Sequence, residues 1–147
     1  MPSHCDQFTL LPDKRAVREA RLRVRAFTEL PREVESNAEL VVSELVANSV
    51  LHARLGPDDR IEVTICHDGD RLEIEVADSG GFSGRTRHKS GLGFRVLDAV
   101  CEGWQAEGGR VRASIRIGGR SAGGAAPSER REASGSRLRL RSALRRR

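Results

Sequence analysis

The chain has 147 residues, 37% of them hydrophobic, which suffices for one modest core and leaves no room for a second large domain. Its formal net charge of +5 is carried by one end: residues 118–147 hold nine Arg against two Glu, whereas residues 1–117 hold 17 Lys and Arg against 19 Asp and Glu. This excludes a folded domain that is basic throughout, as a nucleic-acid binder would be, and three widely spaced cysteines without a C-x-x-C pair support neither a disulfide framework nor a zinc site, so they read as reduced thiols.

In chain order, residues 8 to 11 read as a short strand halted by Pro12. Asp13 then suits the N-cap of a first helix reaching about Phe27, with Ala16, Ala20, Val24 and Phe27 at helical spacing. A second helix is expected from near Ser36 to before Gly56 and Pro57. It is apolar over most of its circumference, with Leu40, Val42, Leu45, Val46 and Val50, and it carries one polar stripe of Glu44, Asn48 and His52, each four residues apart. An acid, an amide and an imidazole on a helix of this kind are costly unless they meet a ligand, a metal, water or one another, which makes the stripe a site candidate.

Two alternating runs, RIEVTIC and RLEIEVAD, flank HDGD, whose Asp68 and Gly69 signal a hairpin. Ile61, Val63 and Ile65 with Leu72, Ile74 and Val76 would form one core face. The texture then turns glycine-rich and basic through SGGFSGRTRHKSGLG, a loop leading into a helix, GLGFRVLDAVCEGW, whose N-terminus suits an anion. A last strand is expected within residues 110–117. The remainder, poor in large apolar residues and rich in Gly, Ala, Ser and Arg, predicts a disordered tail over 118–147. His4 beside Cys5 and His67 beside Cys66 do not make a metal site, because neighbours in a strand point to opposite faces. No apolar run approaches the ~20 residues that span a bilayer, and the N-terminal segment lacks a signal-peptide core, so a cytoplasmic protein without membrane attachment is expected.

The polar-striped helix SELVANSVLHA, the strand end VADSGG and the glycine-led helix SGLGFRVLDAV, in that order, resemble the three nucleotide-binding boxes of the GHKL, or histidine kinase-like, ATP-binding superfamily. Within it the chain is most similar to the bacterial anti-sigma-factor serine/threonine kinase group and its short actinobacterial relatives. The resemblance covers residues 8 to 117 and implies an α+β, Bergerat-type two-layer α/β sandwich: a mixed, mostly antiparallel sheet with helices on one face.

It further implies ATP and Mg²⁺ as cofactors. Asn48 would ligate Mg²⁺ through its side-chain oxygen, Glu44 would act as general base, and Asp78 would accept a hydrogen bond from the adenine amino group. Gly80 and Gly81 would let the base approach, and Gly91, Leu92 and Gly93 would present backbone N–H groups to the phosphates. His52 would support the site from behind, and Arg85, Arg87, His88 and Lys89 lie in the intervening loop. The first glycine box reads D-S-G-G where the family has a fuller D-x-G-x-G, which weakens the adenine end relative to the Mg²⁺ end.

The implied function is an ATP-binding anti-sigma regulatory factor, a serine/threonine protein kinase that phosphorylates an anti-sigma antagonist and sequesters a sigma factor. The alternative is a non-catalytic ATP-binding partner-switch protein. A homodimer is also implied. Nucleic acid would enter only through the arginine-rich tail, whose bland reading is a solvated extension without aromatic residues for base stacking.

Overall fold

The computed structural model describes residues 3–27, 30–79 and 92–118. Its elements are β1 (His4–Leu10), α1 (Ala16–Phe27), α2 (Arg32–His52), β2 (Ile61–His67), β3 (Arg71–Asp78), α3 (Leu92–Val100), β4 (Gly103–Glu107) and β5 (Arg110–Arg116). The strands form one five-stranded sheet in the order β1-β2-β3-β5-β4. Every pairing among the described strands is antiparallel, so the sheet lacks the parallel component expected of a mixed one.

The hairpin between β2 and β3 follows from its turn chemistry. Asp68 Oδ1 accepts hydrogen bonds from the backbone N–H groups of Asp70 and Arg71 at 3.0 and 2.9 Å, and Gly69 takes a φ of +99° that a side chain would resist. With the register so fixed, alternation sends Ile61, Val63, Ile65, Leu72, Ile74 and Val76 to one buried face. Val111, Ala113 and Ile115 of β5 continue that face, and Phe8 and Leu10 of β1 close its other side.

The helices cover this face. Ala16, Ala20, Val24 and Phe27 of α1 are buried at the spacing their sequence predicts, and Val34, Ala38, Val41, Val42, Leu45 and Val46 form the buried side of α2. The alanines at 16, 20 and 38 lack bulk beyond Cβ, which permits close approach of backbones, while each fully buried Val, Leu or Ile contributes roughly 1.5–3 kcal/mol. Between the two helices, Arg21 Nε donates to the Ser43 hydroxyl at 2.6 Å, and Arg25 makes a two-pronged ion pair with Glu39 at 2.6 and 3.0 Å. The opposite sheet face is polar: Glu75 pairs there with Arg112 at 2.7 Å and Arg110 at 3.3 Å.

Four further expectations require correction. The first strand begins at His4 rather than at residue 8, because its extra residues pair with β2 although they contribute little burial. Helix α2 begins directly after Pro31, before Ser36; Glu33 and Glu35 occupy its first turn, where the positive end of the helix dipole favours carboxylates. The third helix stops at Val100 and the chain enters β4, so Trp104 lies in a strand, its ring 4.7 Å from that of Phe94. Finally, Cys5 and Cys66 form a disulfide, leaving Cys101 as the free thiol. The antiparallel register sets the two cysteines directly opposite each other with Cα atoms 4.1 Å apart, a proximity that a sequence separation of 61 conceals. His4 and His67 project to the other face, where His4 stacks on Phe27 at 5.0 Å.

Residues 119–147, almost all of the expected tail, lie outside the described residues. Among the described residues no helix is long and apolar enough to cross a membrane.

Candidate functional site

Helix α2 runs across the sheet with its inward line continuing from Leu45 to Ser49, one turn later, and then to Ala53. Glu44 and Asn48 each precede a residue of that line, so they sit about 100° around the helix from it. They are half-buried at the border of the packed face, not within it. His52 continues the same stripe in the last turn but is exposed, as is the neighbouring Leu51 at 72%. The difference from the helix expected above, apolar over most of its circumference, has a simple cause: sheet and helices cover one side of α2, and Leu40 at 40% exposure lies on the other.

Strand β3 brings the second carboxylate. Its alternation places Leu72, Ile74, Val76 and then Asp78 on the helix-facing side, so the last residue of the strand directs its carboxylate beneath α2. Ser49, only 1% exposed, donates a hydrogen bond from Oγ to Asp78 Oδ2 at 2.9 Å. The Asp78 backbone N–H is held in turn by the Gly109 carbonyl at 3.0 Å, which ties the strand end to the β4–β5 turn. Nearby, Ser79 Oγ donates to Asp59 Oδ1 at 3.3 Å, and Asp59 Oδ2 accepts from the Gly56 N–H at 2.6 Å, fixing the loop between α2 and β2.

Asn48 and Ser49 are adjacent in sequence, so the amide and the Ser-held carboxylate share one end of the sandwich. Helix α3, which packs against α2, begins at Leu92, and the backbones of Leu92 and Gly93 form its first residues. Gly80, Gly81 and Gly91, with Arg85, Arg87, His88 and Lys89, lie outside the described residues. Ser49 is the residue that sequence reasoning missed. A serine four residues after Leu45 on an apolar line calls for a hydrogen-bond partner, and that was its available signal.

The donor set fits a nucleotide with magnesium. Among the described residues there is no group of three or more His, Cys, Asp or Glu side chains that could hold a metal, which excludes an all-protein cage there. Magnesium needs none, because it keeps several waters and takes one or two protein oxygens beside substrate phosphates, a role one half-buried amide oxygen can fill. A carboxylate fixed by a buried hydroxyl donor is an acceptor of defined direction for an exocyclic amino group.

Compared with known families, residues 10–120 match that of the histidine kinase-like ATPase domain. No curated protein matches the chain. The matched span includes α2 with Glu44, Asn48 and Ser49, the end of β3 with Asp78, and all of α3.

Proposed function

The chain belongs to the histidine kinase-like ATPase family, and on that premise we propose that it binds ATP with Mg²⁺ between α2, the end of β3 and the start of α3, and acts as an anti-sigma regulatory factor. The observation that carries the nucleotide reading is the Ser49–Asp78 hydrogen bond beside Asn48, within the matched residues. Asn48 holds the metal through its amide oxygen, and Asp78, oriented by Ser49, receives the adenine amino group. ATP supplies the transferable phosphoryl group.

Glu44, one turn before Asn48, is the base that takes the proton from an incoming serine or threonine hydroxyl of an antagonist protein. Its half-buried position is what that role needs: a carboxylate partly withdrawn from water yet reachable. Phosphoryl transfer asks the protein for placement and charge neutralisation, and α2 offers base and metal ligand on one rigid element. Sequestration of a sigma factor is then governed by the nucleotide state of the same site.

The test is incubation of purified protein with γ-labelled ATP, Mg²⁺ and a candidate antagonist. Phosphoserine or phosphothreonine that falls by roughly 10²–10⁴ in rate for Glu44→Ala, with ATP affinity retained, supports the kinase. ATP binding without transfer, unaffected by Glu44→Ala, overturns it in favour of a non-catalytic partner switch.

A further inference from the structure

Strand β1 is held unevenly. Its C-terminal half buries Phe8 and Leu10, while its first four residues, His4 to Gln7, are exposed or half-buried and lie at the sheet edge, with β2 as their only neighbouring strand among the described residues. The Cys5–Cys66 bond falls in this weakly held half. It sits on the polar sheet face, away from the helices, where Cys5 is exposed and Cys66 half-buried, so a reductant reaches it without the core opening.

We propose that Cys5 and Cys66 form a reversible redox latch, closed by oxidation and opened by a dithiol reductant, that fixes the N-terminal half of β1 onto β2. In opening, a thiolate of the reductant attacks the more exposed Cys5 Sγ and expels Cys66 as thiolate, which takes up a proton. The second thiol of the reductant then resolves the mixed disulfide, so the reductant leaves as its own disulfide and Cys5 as a thiol. Two electrons and two protons pass to the protein. Exposed disulfides are the exchangeable class, whereas buried ones act as fixed staples. Cys101 stays out of the exchange, because burial and the neighbouring Asp98 push its thiol up to about 12, which leaves little thiolate at neutral pH.

Opening the latch leaves the first half of β1 with its ladder bonds and the stack of His4 on Phe27, while Arg23, 4.8 Å above the Phe8 ring, still anchors the second half to α1. The expected response is therefore local loosening of β1, not unfolding. The inference is independent of the nucleotide reading, and either can fail alone.

The full chain is equilibrated in mixtures of reduced and oxidised dithiothreitol, quenched with acid, alkylated after denaturation and weighed. The pair should titrate between zero and two added alkyl groups beyond the one on Cys101, with an unchanged far-ultraviolet circular dichroism spectrum. Reduction should lower Tm by roughly 10 °C and raise amide hydrogen exchange of His4 to Gln7 roughly tenfold at short labelling times, when β3 and β5 are still protected in both forms. The Cys5→Ser/Cys66→Ser double variant should match the reduced wild type under oxidising conditions. A pair that never oxidises, a bond that survives every mixture until the protein unfolds, or reduction without faster exchange in β1 would each overturn the latch.

Discussion

Ser49 Oγ donates to Asp78 Oδ2 across 2.9 Å, joining the inward line of α2 to the last residue of β3. The bond spans 29 residues of sequence and ends on the carboxylate proposed to read adenine. Its donor is buried and thus does not exchange freely with water, so the bond fixes the carboxylate as well as stabilising the helix-to-sheet contact. Ser49→Ala should weaken ATP binding about five- to tenfold, equivalent to ~1–1.4 kcal/mol, equally with and without Mg²⁺. Isothermal titration in both conditions checks this, and unchanged affinity would mean that the bond serves the fold alone.

Asn48 and Asp78 separate in the same titration. Asn48→Ala removes a half-buried amide at the border of the packed face, so affinity should fall by roughly tenfold in Mg²⁺ and little in its absence. Asp78→Asn keeps an acceptor for Ser49 but replaces a carboxylate that accepts with an amide that also donates, and should lose roughly tenfold or more in both conditions. Undiminished binding by both variants would overturn their proposed roles.

Much of this architecture is legible in the chain because local and tertiary signals agree. The alternation of β2 and β3 and the Asp68-Gly69 turn specify both strands and their register, and the period of Ala16, Ala20, Val24 and Phe27 specifies α1. Where they fail, a tertiary fact decides. Strand β4 has no buried residue and only five positions, so the helical spacing running from Phe94 to Cys101 extends through it on paper, while pairing with β5 makes it a strand. The disulfide depends on a register set by Phe8, Leu10, Ile61 and Val63, not on cysteine spacing. Glu44 and Asn48 stand out because charged or amide side chains interrupt an apolar helix, whereas Ser49, small and weakly polar, does not.

Cys101 should be a poor nucleophile. Its thiol is pushed up to about 12, first by burial and then by the Asp98 carboxylate. At pH 8 alkylation by iodoacetamide in the native protein should be roughly 30- to 100-fold slower than that of a free thiol, after allowing for the greater intrinsic reactivity of a more basic thiolate. The same shift gives an alkaline signature: the folded state keeps a proton that the unfolded state releases, so this contribution to stability is intact below about pH 8.5 and is lost as pH rises towards 12. Native and denatured labelling rates, followed by mass, check the first statement. A native rate equal to the denatured one would refute it.

Glu39 governs part of the acid limb. Its hydrogen bond from the Arg25 guanidinium holds the carboxyl below its usual range, against an opposing push from burial, and the charges of Arg25 and Arg21 add to the lowering. A lowered folded-state pKa means that the unfolded chain binds the proton more readily, so the stabilisation is present above the ordinary carboxylate range and disappears as pH falls through the folded value. Arg25 is more than half exposed, at 57% of its side-chain surface, so solvent screens the pair and its contribution is small. Glu39→Gln should therefore cost no more than a few degrees in Tm near neutrality and flatten the decline of Tm on acidification. Arg25→Gln should do the same, and combining the two should add little to either, since both remove one interaction. Thermal melts from pH 7 to pH 3 decide the matter: an acid limb as steep in Glu39→Gln as in the parent would show that the α1–α2 clamp is held by Arg21 and Ser43 without help from this pair.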